Sequence, residues 1–471
     1  MADMIVEGGT VVTLDPKRRV IADGAVVVTG SKIEAVGNRE KIGERYTADK
    51  VIRAQGKVLL PGLINTHTHI FQTLLKGIGP DLPTWEWFKA VLDPAVSHLT
   101  LEDCYISALL GSIEAIKSGT TCLLDYNYAH PHPRMADEVV RAFQQVGIRG
   151  ILARGIIDMG EVHKNIVHET EEELEDCERL INQYDGLADG MVHVWLAPYS
   201  VRSTSWQGFK GAKELADRYG TGLTVHSLSP LAIESARELY GMDDLQFFEN
   251  IGFLGPNVLL VHCHGHLTKR HFETMKDYGL KVSHNPLSNA RLGEGIAAVP
   301  QMLGHGITVG LATDGPASND NHDMVAALKF TALLHKAHLL DPGVITAEKV
   351  IEMATIDGAK CVALDDEIGS IESGKKADLI LVDLEKPNTI AVHNPISSLV
   401  YSCTQENVDT VIVDGKVVME NREMKTVSEK AVFKEAQGAA DSLIQRAGMS
   451  QCLQRPWCSP SFHLEQMWGS R

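Results

Sequence analysis

Eight short apolar segments, each followed by a longer amphipathic stretch, constrain this chain more than any other feature. They run over 58–65, 121–126, 150–154, 192–197, 222–226, 258–262, 280–284 and 307–313. Parallel strands need long crossover connections, so strand-and-helix units repeated in this way build a parallel sheet. Eight of them predict an α/β fold closed into a (β/α)8 TIM-type barrel, in which every C-terminal strand end opens on one mouth.

The two ends of the chain have a different rhythm. Short segments at 4–7, 10–13, 24–29, 33–36 and 57–60 read as strands separated by turn residues. Helical character over 346–364 is followed by β-branched strand patterning at 377–383 and 410–418. These ends are expected to form one discontinuous β-sandwich domain, 1–59 and 373–425, flanking a barrel at 60–372. A closing helix is expected at 426–449, followed by a tail at 450–471 that is either disordered or an arm reaching a partner subunit.

Function classes narrow with the charge. Lys and Arg total 44 against 61 Asp and Glu, a net charge of −17, which offers no electrostatic reason for a nucleic-acid or anionic-membrane partner. A small-molecule substrate fits better. The eight cysteines form no CxxC pair and read as reduced, and no basic, apolar leader opens the chain. A cytoplasmic location is therefore expected, as is self-association into a homo-oligomer.

The residues that end the predicted strands carry the chemistry. His67 and His69 follow the first segment, and period-two alternation sends both imidazoles to one face. His226, His262 and Asp314 end or follow the fifth, sixth and eighth segments. At one barrel mouth they converge, and imidazole and carboxylate donors suit zinc, iron or a similar divalent ion. Such an ion makes a water nucleophilic near neutral pH, so the constellation predicts hydrolysis.

This ordered set resembles the amidohydrolase superfamily along essentially the whole chain. Leu60 through His69 (LPGLINTHTH) is similar to its first-strand signature, Val225-His226 to the fifth, Val261-His262-Cys263 to the sixth, and Thr313-Asp314-Gly315 with Ser318-Asn319-Asp320 to the eighth. The likeness is nearest to the branch of adenosine-type deaminases, triazine aminohydrolases and atrazine chlorohydrolase. It implies that His67, His69, His226 and Asp314 hold one divalent metal, zinc first and iron second. It also implies that His262 contacts the attacking water or the substrate, and that Asp314 takes the water's proton. Binuclear members bridge their metals with a carboxylated lysine at the end of the third or fourth strand. None ends 150–154 or 192–197, which implies a single ion.

One departure bears on the reaction. Deaminating relatives carry His-x-x-Glu after the fifth strand, whereas this chain reads His226-Ser227-Leu228-Ser229. Ser229 donates a hydrogen bond but cannot act as a carboxylic acid, and Glu234 lies farther on in an expected helix. His264 and His266 are the other proton-donor candidates. Trp85, Trp87 and Phe88 after the first strand, Asn127, Tyr128 and His130 after the second, and His284, Asn285 and Asn289 after the seventh are candidates for the substrate pocket. Pro94-Ala95-Val96 offers no carboxylate for ribose hydroxyls, so a bare heterocycle is expected over a nucleoside.

The leading expectation is a hydrolase that displaces an amino, alkylamino or halide group from a triazine-, purine- or pterin-like ring. The alternatives are a hydrolase of an amide, urea or carbamate C–N bond and a non-catalytic metal-binding relative. The acidic run 169–176 reads as a solvated helix face, and Gly8-Gly9 and Gly293-Glu294-Gly295 as turns.

Overall fold

The computed structural model of the chain describes residues 1–79, 81–160 and 162–453. The expected tail lies outside the described residues from 454 onward. In chain order the strands are β1 (Ala2–Val12), β2 (Val20–Thr29), β3 (Lys32–Asn38), β4 (Ala48–Arg53), β5 (Lys57–Pro61), β6 (Leu63–Thr68), β7 (Thr120–Asn127), β8 (Arg149–Ile156) and β9 (Val192–Pro198). They continue with β10 (Leu223–Ser227), β11 (Val258–His262), β12 (Lys281–His284), β13 (Thr308–Leu311), β14 (Leu379–Asp383), β15 (Val408–Val413), β16 (Lys416–Glu420) and β17 (Glu423–Met424).

β6 through β13 pair in sequence, all parallel, as one eight-stranded sheet. Its edges meet. Asp314 N, just past β13, donates to His67 O in β6 at 3.1 Å, and Thr313 N donates to the Asn65 side-chain carbonyl at 3.1 Å. The result is a nearly closed (β/α)8 barrel whose strands are buried on both faces, which is why they read as continuous apolar runs.

The chain ends form the second, mixed sheet, ordered β17-β16-β15-β14-β5-β1-β2-β3, with β4 beside β1. Its own apolar core includes Val6, Val26, Val28, Leu59, Leu379 and Ile412. The helix Glu429–Arg446 then packs back on Leu101–Lys117, where Arg446 pairs with Asp103.

Several sequence readings need correction. Residues 58–65 are not one barrel strand. Lys57–Pro61 lies antiparallel to β14 in the mixed sheet, whereas Leu63–Thr68 pairs with β7 in the barrel. The chain changes sheets at Gly62, where a Cβ would stand 1.9 Å from the Thr121 hydroxyl, so only glycine lets the two strands follow so tightly. Residues 410–418 form a hairpin rather than a strand, turning at Asp414 (φ 51°) and Gly415 (φ 76°), the double left-handed pattern of a type I′ turn. Gly8-Gly9 is a bulge within β1, marked by register shifts against β2. Glu173, from the acidic run, points inward and pairs with buried Arg154 at 2.8 Å, while Glu171 and Glu172 stay exposed.

A buried ion pair ties the two sheets together. Arg149, at the start of β8, is fully buried, with Nε 2.9 Å from one Asp378 carboxylate oxygen and Nη2 3.0 Å from the other. Asp378 immediately precedes β14, and Arg149 Nη1 also donates to Gly190 O at 2.6 Å. Burial alone would lower the Arg149 pKa, but the Asp378 carboxylate raises it above its ordinary value and keeps the guanidinium charged.

Candidate active site

At the C-terminal mouth of the barrel, His67, His69 and His226 each present a ligand atom, and these atoms all lie within 4.8 Å of one another. Asp314 joins them from the strand end beside β6, its Oδ1 at 3.4 Å from His67 Nε2 and 3.6 Å from His69 Nε2. The His226 ring stacks between those of His69 and His262, with centroids 5.4 Å from each.

Neighbouring groups fix the ring orientations. His69 Nδ1 donates to Tyr126 O at 2.8 Å and His226 Nδ1 to Tyr199 O at 3.1 Å, leaving Nε2 of each as the free donor atom. The His262 Nδ1 lies 2.9 Å from the Asn289 side-chain oxygen, which leaves its other nitrogen for the pocket. Backbone strain accompanies this placement. His262 (φ 72°), Cys263 (φ 49°) and Asp314 (φ 63°) are left-handed non-glycine residues, a conformation costing about 1–3 kcal/mol each and concentrated at functional sites.

The donor set suits a divalent cation. Both ring nitrogens of His67 are buried without a hydrogen-bond partner, a cost of roughly 1–3 kcal/mol per atom, which a bound ion would relieve at the one nitrogen that ligates it. Burial, followed by the charge of His67, pushes the His69 pKa down to about 3, and burial also holds His67 and His226 below the usual histidine range. Burial alone would raise the Asp314 carboxyl, but the surrounding imidazoles, His67 foremost, hold it well below the usual carboxylate range. Three neutral imidazoles and one ionised carboxylate form the protonation state in which these groups ligate metal.

Above the cluster opens a cavity of about 210 Å³. Trp85, Trp87, Phe88, Tyr128, Ser229 and His264 all reach its wall. At the rim, Lys89 Nζ and the Arg202 guanidinium lie 4.9 Å and 4.5 Å from the Trp85 ring centroid. Ser229 also caps the helix Pro230–Tyr240, accepting from Ala232 N at 3.0 Å.

Other candidates lie elsewhere. Asn127 is buried behind the wall, donating to Asp125 at 3.1 Å, and His130 bonds the Asn127 carbonyl. His284 ends β12 with its Nε2 3.3 Å from His335 Nε2 on the helix Met324–Leu339, and Asn285 folds back on Ser283 O. Asn289 reaches the site only through His262. His266 and Glu234 are exposed. The sequence reading missed Gln72, Asp93, Tyr199, Glu294 and Ser318, all on the cavity wall. Asp93 stands directly before the Pro94-Ala95-Val96 run, which itself carries no carboxylate.

Comparison with known proteins gives the architecture a family. The model of the amidohydrolase family matches residues 58–418. The chain belongs to that family. It is 39% identical to a 5'-deoxyadenosine deaminase of Methanobrevibacter smithii, over 89% of this chain and 94% of that one. It is 36% identical to a 5-methylthioadenosine/S-adenosylhomocysteine deaminase of Thermoanaerobacter pseudethanolicus, over 94% of this chain and the whole of its relative. Among solved structures, an adenosine deaminase from Xanthomonas campestris with bound zinc superposes with a TM-score of 0.89 at 27% identity, covering 94% of this chain and 99% of that one. The zinc complex of atrazine chlorohydrolase from Arthrobacter aurescens TC1 follows at 0.87 and 26%, covering 93% and 100%. Among the described residues no helix is long and apolar enough to cross a membrane.

Proposed function

We propose that this amidohydrolase is a metal-dependent aminohydrolase, replacing an amino group, or a halide in the same position, on a small nitrogen heterocycle with hydroxyl. The observation that carries this reading is the position of the His67, His69, His226 and Asp314 cluster, with His262 beside it, at the floor of an aromatic-walled cavity. The deaminase and chlorohydrolase names of its relatives point to the same chemistry. A purine ring is the first candidate substrate, and the Asp93 carboxylate on the cavity wall leaves room for a hydroxylated substituent on it.

His67, His69, His226 and Asp314 would hold one divalent ion, zinc foremost; no lysine ends β8 or β9 to bridge a second. When bound, the ion supplies Lewis acidity that brings the pKa of water toward neutrality. The chain's own groups then divide the remaining work. Asp314 is ionised in its pocket and accepts the proton of the attacking water. His262, held at Nδ1 by Asn289, hydrogen-bonds that water through its other nitrogen. Trp85, Trp87 and Phe88 cover the ring and keep bulk solvent from it. Ser229, committed to its helix cap, supplies no acid, which also keeps hydrolysis of an amide or urea among the outcomes to test.

The test is turnover of 5'-deoxyadenosine, its chloropurine counterpart, aminated and chlorinated triazines and an aryl urea by metal-loaded protein, with and without chelator. Replacement of a ring substituent by hydroxyl, lost on chelation and in Asp314→Asn, supports the reading. Cleavage of the urea alone, or turnover indifferent to chelator, overturns it.

A further inference from the structure

With Ser229 unable to donate a proton, the reading above lacks an acid for a departing amine. Among the described residues, three carboxylates reach the cavity: Asp93, Glu294 and Asp314. Asp314 belongs to the histidine cluster. Asp93 lines the same cavity, where burial raises its carboxyl against the opposing influence of His163 and Lys89, and among the described residues no hydrogen bond or ion pair links it to the histidine cluster. Glu294 is connected to the reaction centre in two ways.

The first connection runs through side chains. Glu294 Oε2 approaches His264 Nε2 at 3.5 Å, and the His264 ring lies edge-on to His262 with centroids 5.6 Å apart. His264 is buried, and neither of its ring nitrogens has a hydrogen-bond partner. The second runs through Asn289, whose main-chain oxygen accepts from Glu294 N at 2.9 Å while its side chain holds His262. Glu294 and His262 are thus referenced to one residue. Gly293 (φ 69°) and Gly295 (φ 108°) make the turn that brings the carboxylate inward, and Thr84 Oγ1 holds its other oxygen at 2.8 Å.

We propose that Glu294 is the proton donor to the departing amine, doing from the loop after β12 what position 229 cannot. This rests on the aminohydrolase reading. Water oxygen bonds to the ring carbon as Asp314 takes its proton and the ring C=N π pair moves onto the ring nitrogen, from which it re-forms the double bond in the next step. The carbon–nitrogen bond then breaks with its electron pair on nitrogen, which takes the Glu294 carboxyl proton and leaves as ammonia. Asp314 releases its proton to solvent and Glu294 takes one up, so amine plus water gives hydroxyl compound plus ammonia. Thr84 Oγ1 keeps the carboxyl oriented, with the His264 ring beside it.

The experiment compares wild type, Glu294→Gln and Glu294→Asp on 5'-deoxyadenosine and its chloropurine counterpart, because chloride departs without protonation. Glu294→Gln should lower kcat on the amine about a hundredfold with KM little changed, and remove one limb of its pH profile. Its loss on the chloro compound should be at least tenfold smaller, and Glu294→Asp should recover part of the amine activity. Equal losses on both substrates, or none, overturn the proposal. If the wild type turns over neither compound, the aminohydrolase reading fails, and calorimetric binding then decides the contact. Weaker binding of the amine alone in Glu294→Gln supports it, and unchanged binding of both overturns it.

Discussion

Replacing Arg149 with Met tests what joins the barrel to the terminal sheet. The side chain is fully buried and bonds both Asp378 oxygens, so, besides its bond to Gly190 O, the variant removes the two charge-assisted hydrogen bonds of this pair and leaves a carboxylate without its counter-ion. At about 1.5–3 kcal/mol each, the bonds sum to roughly 3–6 kcal/mol. Breaking a buried pair from one side costs about 3–5 kcal/mol by independent measure, so the two estimates agree. Asp414 Oδ1, 3.7 Å from Arg149 Nη2, adds a second nearby carboxylate and keeps the expected cost in the upper half of that range. Urea unfolding followed by tryptophan emission reads the effect. The double variant Arg149→Met with Asp378→Leu should recover most of the loss, because the Asp378 charge is gone and Asp414 keeps Lys376 Nζ at 3.2 Å. Recovery should stop short of complete, since Asp378 also accepts from Asp414 N at 2.8 Å. A single-variant cost under about 1 kcal/mol, or a double variant no better than the single, would refute the reasoning.

Other expectations follow from the same geometry. Asn289→Ala frees the His262 ring, and kcat should fall roughly 10–100-fold with KM little moved; steady-state kinetics on the purine pair checks it. Gly62→Ala drives a methyl into Thr121 and should cost roughly 1–3 kcal/mol in thermal or urea unfolding, partly regained with Thr121→Gly. Burial pushes the Asp244 carboxyl up to about 6, above the roughly 3.9 of an unfolded chain. Its contribution to stability is therefore fully present at acid pH and is lost as pH rises through about 6. Asp244→Asn should flatten that part of the pH–stability curve, and a curve unchanged from wild type contradicts the assignment.

The barrel was legible in the sequence because its strands are buried on both faces and their ends carry unlike residues, His67, His226, His262 and Asp314. What escaped depended on geometry without periodicity. The change of sheet at Gly62 looks like one apolar run, since both sheets bury that stretch. Asp414-Gly415 carries a hairpin signal that the flanking apolar residues masked. Glu294 was read as part of a glycine turn, and only the left-handed angles of Gly293 and Gly295 bring its carboxylate to the cavity. Asp93 escapes the sequence pattern because it stands one residue before the Pro94-Ala95-Val96 run. His284 and Asn127 follow their strands as expected of pocket residues, yet partners behind the barrel wall hold both side chains. Asn289 is the intermediate case, placed on the correct loop but acting through His262.

The most direct test of the central claim is the reaction of 5'-deoxyadenosine and its chloropurine counterpart in oxygen-labelled water, with metal content per chain measured on the same sample. The account predicts one bound divalent ion per chain, one labelled solvent oxygen on the ring carbon, and an equal amount of ammonia or chloride released. Asp314→Asn should abolish both the label and the release. Product formed without solvent oxygen, or formed equally by metal-free protein, would contradict it.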